Sequence, residues 1–213
     1  MADGQARQEN VKSLAETVGF VHLRSHSAFS LLEGALPLKT LAKLAKADLQ
    51  PALGLADTGN LFGALEFSEA MAAAGIQPIV GCQLAVDFAD DTDSRPGGPV
   101  KAKPAVVVIA ATDTGFRNLV RLVSRSYTDH PAGTPPHVLM AWLAEAAEGL
   151  IALTGGFGGP LDAAIRTGQP DRALARLDLL RPIFADRLYV ELQRHGLPDQ
   201  RAVETELRRL AAR

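Results

Sequence analysis

Phe20-Val21-His22-Leu23-Arg24-Ser25-His26-Ser27-Ala28-Phe29-Ser30-Leu31-Leu32-Glu33-Gly34 is the stretch on which the fold and the function both turn. Read as a strand over residues 20–26, it places His22, Arg24 and His26 on one face and sends Val21, Leu23 and Ser25 the other way, because strand side chains alternate with period two. Imidazoles converging at a strand end are a common way to build a metal site. The acid Glu33 follows within reach of the same mouth. Arg24 breaks the pattern, since a guanidinium is permanently charged and cannot ligate a metal. At ~4 Å and an effective dielectric near 20, a divalent ion beside it is repelled by about 8 kcal/mol. The stretch has the form of a metal site without the means to hold metal, and Arg24 is expected to pair with Glu33 or Asp57 instead.

Working outward, the chain has 213 residues, 47% of them hydrophobic, enough to bury a core as one large domain or two small ones. Its 22 basic residues are dispersed among 24 acidic ones for a net charge of −2. That argues against a nucleic-acid surface covering this piece, because such domains carry a basic stripe. A single cysteine, Cys82, excludes an internal disulfide framework and fits a reducing compartment. The longest apolar runs are too short to span a bilayer, and residues 1–18 lack the apolar core of a signal peptide. They read as a tail, and the protein as cytoplasmic with no membrane partner.

Short apolar runs then alternate with helix-length periodic stretches. Strands are expected at 20–26, 52–56, 78–86, 105–111, 149–153 and 188–192. Residues 38–47 place Leu38, Leu41, Leu44 and Ala45 on one helical face behind Pro37, and 61–74 direct Leu61, Leu65 and Ala72 inward before stopping at Gly75. Further helices are expected at 115–127, 138–147, 160–167, 171–184 and 199–212. The last has an apolar stripe of Val203, Leu207 and Leu210 and an i,i+4 pair, Glu204 with Arg208. Such alternation implies an α/β fold with a mostly parallel sheet, as a barrel or an open doubly wound sheet. The segment 87–104 reads as a solvated loop or a loosely paired extension.

Chemistry in α/β folds gathers at the carboxyl ends of strands. Those ends carry Arg24 and His26, then Asp57-Thr58-Gly59-Asn60, then Cys82-Gln83, and later Thr154-Gly155-Gly156. Asp57 reads as a turn acid capping the following helix. Cys82 reads as an inert buried thiol, Trp142 as an anchor of its helix, and His130 and His137 as exposed residues bracketing a Pro-rich loop. The glycine run 155–159 lacks both P-loop and dinucleotide-binding spacing and reads as a tight turn. Asp90, Asp91 and Asp93 have the composition of a Mg²⁺ site but read as a solvated loop.

The order of these pieces resembles the polymerase and histidinol phosphatase (PHP) domain that begins the α subunit of bacterial DNA polymerase III. The resemblance rests on Phe-Val-His-Leu-Arg-Ser-His-Ser at 20–27, Ser-Leu-Leu-Glu-Gly at 30–34, Gly-Leu-Ala-Asp-Thr-Gly-Asn-Leu-Phe-Gly at 54–63 and Ala-Gly-Ile-Gln-Pro-Ile-Val-Gly at 74–81. Thr-Gly-Phe-Arg-Asn-Leu at 114–119, Leu-Thr-Gly-Gly at 153–156 and Tyr-Val-Glu-Leu-Gln-Arg-His-Gly at 189–196 extend it. It implies a distorted seven-stranded β/α (TIM-like) barrel over 19–213, of which the chain holds all but the last strand or strands.

In metal-bearing relatives that barrel holds a trinuclear site. The resemblance maps its ligand positions onto Arg24, His26, Glu33, Thr58, Gln83, Ala105 and Gly156, with the last Asp and His positions falling after Arg213. Only His26 and Glu33 keep ligating chemistry. Histidines are expected at the positions of Arg24, Thr58 and Ala105, a glutamate at Gln83 and a cysteine at Gly156. The implied role is a metal-free scaffold that has no catalytic residue of its own, supports a replicative DNA polymerase and docks the proofreading exonuclease and the rest of the holoenzyme. DNA and Mg²⁺ would be engaged by polymerase domains elsewhere in the parent. Two rivals stand beside it: a residual Zn²⁺- or Mn²⁺-dependent phosphoesterase or proofreading exonuclease using His26, Glu33 and Asp57, and the PHP domain of a lesion-bypass paralogue.

Overall fold

The computed structural model describes residues 19–90 and 102–213. The tail assigned to 1–18 and the acids Asp91 and Asp93 lie outside those residues. The chain forms two compact units. One comprises the described residues up to Leu55 together with Phe62–Ile79, and the other comprises Ala56–Leu61 and Val80–Arg213.

The smaller unit is built on two helices, α1 (Leu38–Ala47) and α2 (Ala64–Ala74). Leu38, Leu41, Ala42 and Ala45 recur at i, i+3, i+4 and i+7, so they form the stripe that α1 buries. Leu44, expected on that stripe, is 52% exposed because it falls outside this arc. On α2 the buried residues are Ala64, Phe67 and Met71, whereas Leu65 is 74% exposed and Ala72 is also on the outer face. The helix begins three residues later than its apolar pattern, and burying Phe67 and Met71 fixes its rotation. It ends as expected at Gly75, whose φ of 77° is a left-handed conformation open to glycine. Both helices close over Leu53, Leu55 and Ile76.

Residues 20–26 are not a regular strand. They run extended beside the strand that follows α1 and are held by His22 O accepting from Gly54 N (2.7 Å) and Ser25 N donating to Gly54 O (3.1 Å), with a single parallel bridge, Ser25 to Leu55. A second isolated bridge joins Ser27 to Leu36.

Six strands are present among the described residues: β1 (Ala52–Thr58), β2 (Gln77–Asp87), β3 (Ala105–Ala110), β4 (Val138–Leu139), β5 (Leu150–Leu153) and β6 (Leu188–Tyr189). Their order is β1-β2-β3-β5-β6, with β4 on β2. The α/β class holds, but the strand directions differ from the parallel expectation. β2 pairs β3 antiparallel and β3 pairs β5 antiparallel, while β2–β4 and β5–β6 are parallel. Parallel neighbours need a long crossover, usually a helix, and the polar sequence between β2 and β3 has no helical apolar pattern. The ladder continues past the strand ends, where Val86 N donates to Pro104 O.

The larger unit carries α3 (Asp113–Thr128), α4 (Met140–Glu145), α5 (Asp162–Arg166), α6 (Pro170–Phe184) and α7 (Pro198–Ala211). Its main core packs Leu84, Val106, Val108, Leu119, Leu122, Leu143, Leu150 and Phe184 around the sheet. Each such side chain contributes ~1.5–3 kcal/mol when fully buried. Trp142 packs against this core, as its sequence context suggested. A second cluster joins Leu161, Ala173 and Leu177 to the expected α7 stripe, Val203, Leu207 and Leu210. The expected Glu204–Arg208 pair forms at 2.7 Å, and Arg194 joins it at 2.6 Å. Bonding to Arg194 and then Arg208 holds the Glu204 carboxyl down at about 2.

Two parts of this unit differ from their sequence reading. Asp90 is not loosely solvated, because it accepts from Arg172 Nε at 2.8 Å and from Arg176 Nε at 2.7 Å. These contacts, those of Arg172 foremost, hold its carboxyl well below the usual carboxylate range. His130 and His137 do more than lie exposed. Their rings stack with centroids 3.9 Å apart, and each bonds a backbone carbonyl, that of His137 and of Pro135 respectively. No helix among the described residues is long and apolar enough to cross a membrane.

Candidate functional site

In the smaller unit, His26 Nδ1 lies 3.4 Å from Ser30 Oγ, and the ring lines a cavity of about 490 Å³ with His22, Ser25, Leu41 and Leu53. Ser25 therefore faces the same space as the two histidines. An extended segment with only two main-chain bonds to its neighbour need not keep strict alternation. Arg24 is half-buried and Glu33 is exposed.

In the larger unit, the end of β1 meets the middle of β2 side chain to side chain. Gln83 Nε2 donates to Thr58 Oγ1 at 3.3 Å, and Gly59 N donates to Gln83 O at 2.9 Å. Asn60 Nδ2 donates to Thr58 O at 3.0 Å, which fixes the turn after β1. Asp57 is only 2% exposed and lies within β1. It is not the helix cap expected from its position, because the N-cap of α2 is Gly63 and no side chain caps it. The carbonyl of Asp57 accepts from the Cys82 thiol at 3.2 Å. Burial, above all, pushes that thiol up to about 12, so Cys82 is protonated and inert at neutral pH, as its apolar strand predicted. Ala105 opens β3 opposite Ala85 and offers only a methyl group.

Gly156 is buried with φ of 54°, in the short 3₁₀ turn Gly156–Gly158 that the glycine run predicted as a tight turn. A Cβ built there would fall inside the side-chain amide of Gln193. Gln193 is itself held at both ends. Its Oε1 accepts from Phe157 N at 3.1 Å, its Nε2 donates to Glu191 Oε1 at 2.8 Å, and Glu191 N donates to Thr154 Oγ1 at 3.0 Å. Sequence reasoning missed Gln193. Two signals pointed to it: residues 191 and 193 share a side in an extended segment, and a glycine stands where a longer side chain is expected.

Thr58, Gln83, Ala105 and Gly156 thus present a hydroxyl, an amide, a methyl and a hydrogen. None is anionic, and the two polar ones bond each other. A trinuclear divalent site concentrates about six positive charges that anionic and imidazole ligands must offset. These four positions supply no anionic or imidazole ligand toward one. Among the described residues, no group of three or more His, Cys, Asp or Glu is placed to hold a metal ion.

The fold is a mixed α/β sheet with hydrogen-bonded polar side chains gathered at the end of β1. The PHP domain model matches residues 22–195, and the chain belongs to the PHP domain family. Within that class it is similar to chains named DNA polymerase III subunit alpha. It is 46% identical over 91% of its length to the DNA polymerase III subunit alpha of Caulobacter vibrioides, and 40% identical over 90% to that of Thermus aquaticus. It spans 17% and 16% of those relatives' own lengths. Among solved structures, a putative metal-dependent phosphoesterase from Bifidobacterium adolescentis superposes with a TM-score of 0.56 at 13% identity, covering 89% of this chain and 83% of that one. This likeness carries the fold and not the ligands.

Proposed function

We propose that this chain is the PHP domain of a cytoplasmic, replicative DNA polymerase III α subunit whose metal cleft has become a hydrogen-bonded scaffold. The observation that carries the reading is the Gln193 amide standing where a ligand side chain at Gly156 would project. The Gln83–Thr58 bond supports it, since the amide and the hydroxyl at two expected ligand positions are hydrogen-bond partners of each other. In this reading the parent chain copies DNA, using two metal ions bound by acidic residues of polymerase domains elsewhere in it. The PHP domain supports those domains and holds a separate proofreading exonuclease near the primer end. Tethering raises effective concentration to about the millimolar range for short linkers, so a modest interface suffices. Near-neutral net charge suits protein contact better than phosphate contact.

Calorimetric titration of the chain with its cognate exonuclease tests the docking half of the proposal. Saturable binding is expected, with no heat on titrating primer-template DNA. Tight, salt-sensitive DNA binding with none to the exonuclease would overturn it.

A further inference from the structure

We propose that the outer face of α3 is a docking surface for an acidic amphipathic helix of a partner protein. This inference does not depend on the reading of the cleft. The inner face of α3 buries Gly115, Asn118, Leu119, Leu122 and Ser126. On the outside, Phe116, Val120 and Tyr127 remain 42%, 41% and 55% exposed. At about 100° per residue these three lie within an arc of about 40°, so they form one apolar ridge ~16 Å long. Single exposed apolar side chains are ordinary on a soluble surface, whereas an aligned ridge over three turns is a binding pattern.

Arg117 and Arg121 run beside the ridge on the same exposed face. Neither makes an ion pair among the described residues, and Arg117 bonds only the Thr114 hydroxyl, at 3.2 Å. Several other arginines of this unit do have carboxylate partners. Arg125, one turn further on, has Asp129 and Glu145, Arg172 and Arg176 share Asp90, and Arg194 and Arg208 share Glu204. The unmatched pair leaves a local excess of positive charge on an otherwise slightly acidic chain.

Tyr127 is already fixed in place, since its hydroxyl donates to Gly59 O at 2.9 Å while its ring stays exposed. A pre-oriented aromatic loses little entropy on binding and makes a good anchor. Ser124, between ridge and arginines, turns its hydroxyl back to Val120 O and leaves a low strip. The matching partner is a helix with apolar residues over the ridge and carboxylates over Arg117 and Arg121. Nucleic acid would use the arginines but leave the ridge unburied.

The test is fluorescence anisotropy with three labelled probes: a synthetic helical peptide of about 18 residues with a leucine stripe flanked by glutamates, its twin with lysines for glutamates, and a DNA duplex. The acidic peptide is expected to bind in about the micromolar range, as suits a small interface. The double variant Arg117→Glu/Arg121→Glu should weaken it by about tenfold or more and gain affinity for the lysine twin. Tyr127→Ala should weaken both the native and the swapped pairing. Both arginines are exposed and unpaired, so an unchanged circular dichroism spectrum is expected for the double variant. Failure of the acidic peptide to bind, binding that the double variant leaves intact, or preferential binding of the duplex would each overturn the proposal.

Discussion

Asp90 and Gly156 are both reached by side chains from later in the chain, but Asp90 receives two cations and Gly156 a neutral amide. At Asp90 the carboxylate serves Arg176, a guanidinium only 5% exposed that could not otherwise be buried charged. At Gly156 the incoming Gln193 meets a backbone amide and the Glu191 carboxylate, so its polar atoms are satisfied without a metal. The difference teaches where this unit keeps its strong electrostatics. A tightly held anion locks α6 to the segment after β2, whereas the contacts at Gly156 and between β1 and β2 are made by the side-chain amides of Gln193 and Gln83.

The largest effect is expected at the clamp. Asp90→Ala leaves Arg176 buried without its carboxylate. Removing one partner of a buried pair costs ~3–5 kcal/mol, and partial exposure of Asp90 brings the expectation to about 2–3 kcal/mol by urea denaturation. A loss below about 0.5 kcal/mol would erase the contrast with the cleft. The clamp also sets an acid response. Because the folded-state value of Asp90 lies below its ordinary 3.8, its contribution is complete above about pH 4 and fades as pH falls further. The stability gap between wild type and Asp90→Asn should therefore narrow on acidification, and a gap that widens would contradict the assignment.

A smaller effect, and the sharper test of the cleft, comes from placing a cysteine at Gly156. Gly156→Cys forces a side chain into the Gln193 amide at a left-handed φ, at an expected cost of about 2 kcal/mol. Gln193→Ala alone should cost about 1 kcal/mol through its lost bonds. Because the two side chains compete for one space, the double variant should be more stable than the sum of the singles by more than ~0.5 kcal/mol. Strict additivity would mean that Gln193 does not fill the position. Smallest is the neutral bond between β1 and β2, where a Gln83→Ala/Thr58→Val cycle should give a coupling of about 0.5–1 kcal/mol in thermal melts. A vanishing coupling would detach these two positions from the account.

Sequence legibility follows the same division between local and long-range causes. α7 was readable because Val203, Leu207 and Leu210 stand out among charged neighbours, and α1 because Leu38, Leu41 and Ala45 keep helical spacing. In α2 the alanine-rich sequence has little contrast, so the buried face could not be told from the outer one until Phe67 and Met71 were packed. β4 spans two residues, too short for any period to register. The bend that brings Ser25 beside His22 and His26 is likewise invisible to a period-two reading. Arg172 and Arg176 lie more than 80 residues after Asp90, and nothing local connects them. The residues at the expected ligand positions were legible through the order of motifs, whereas the bonds made around them, those of Gln193 above all, needed the fold to bring distant loops together.

The central claim is that the cleft is held by hydrogen bonds in place of metal, and metal retention tests it most directly. The protein would be dialysed against Zn²⁺ and against Mn²⁺, then against metal-free buffer, and its metal content measured by elemental analysis. The account predicts retention far below one ion per chain, unchanged by His26→Ala. Near-stoichiometric metal that is lost in His26→Ala would contradict it.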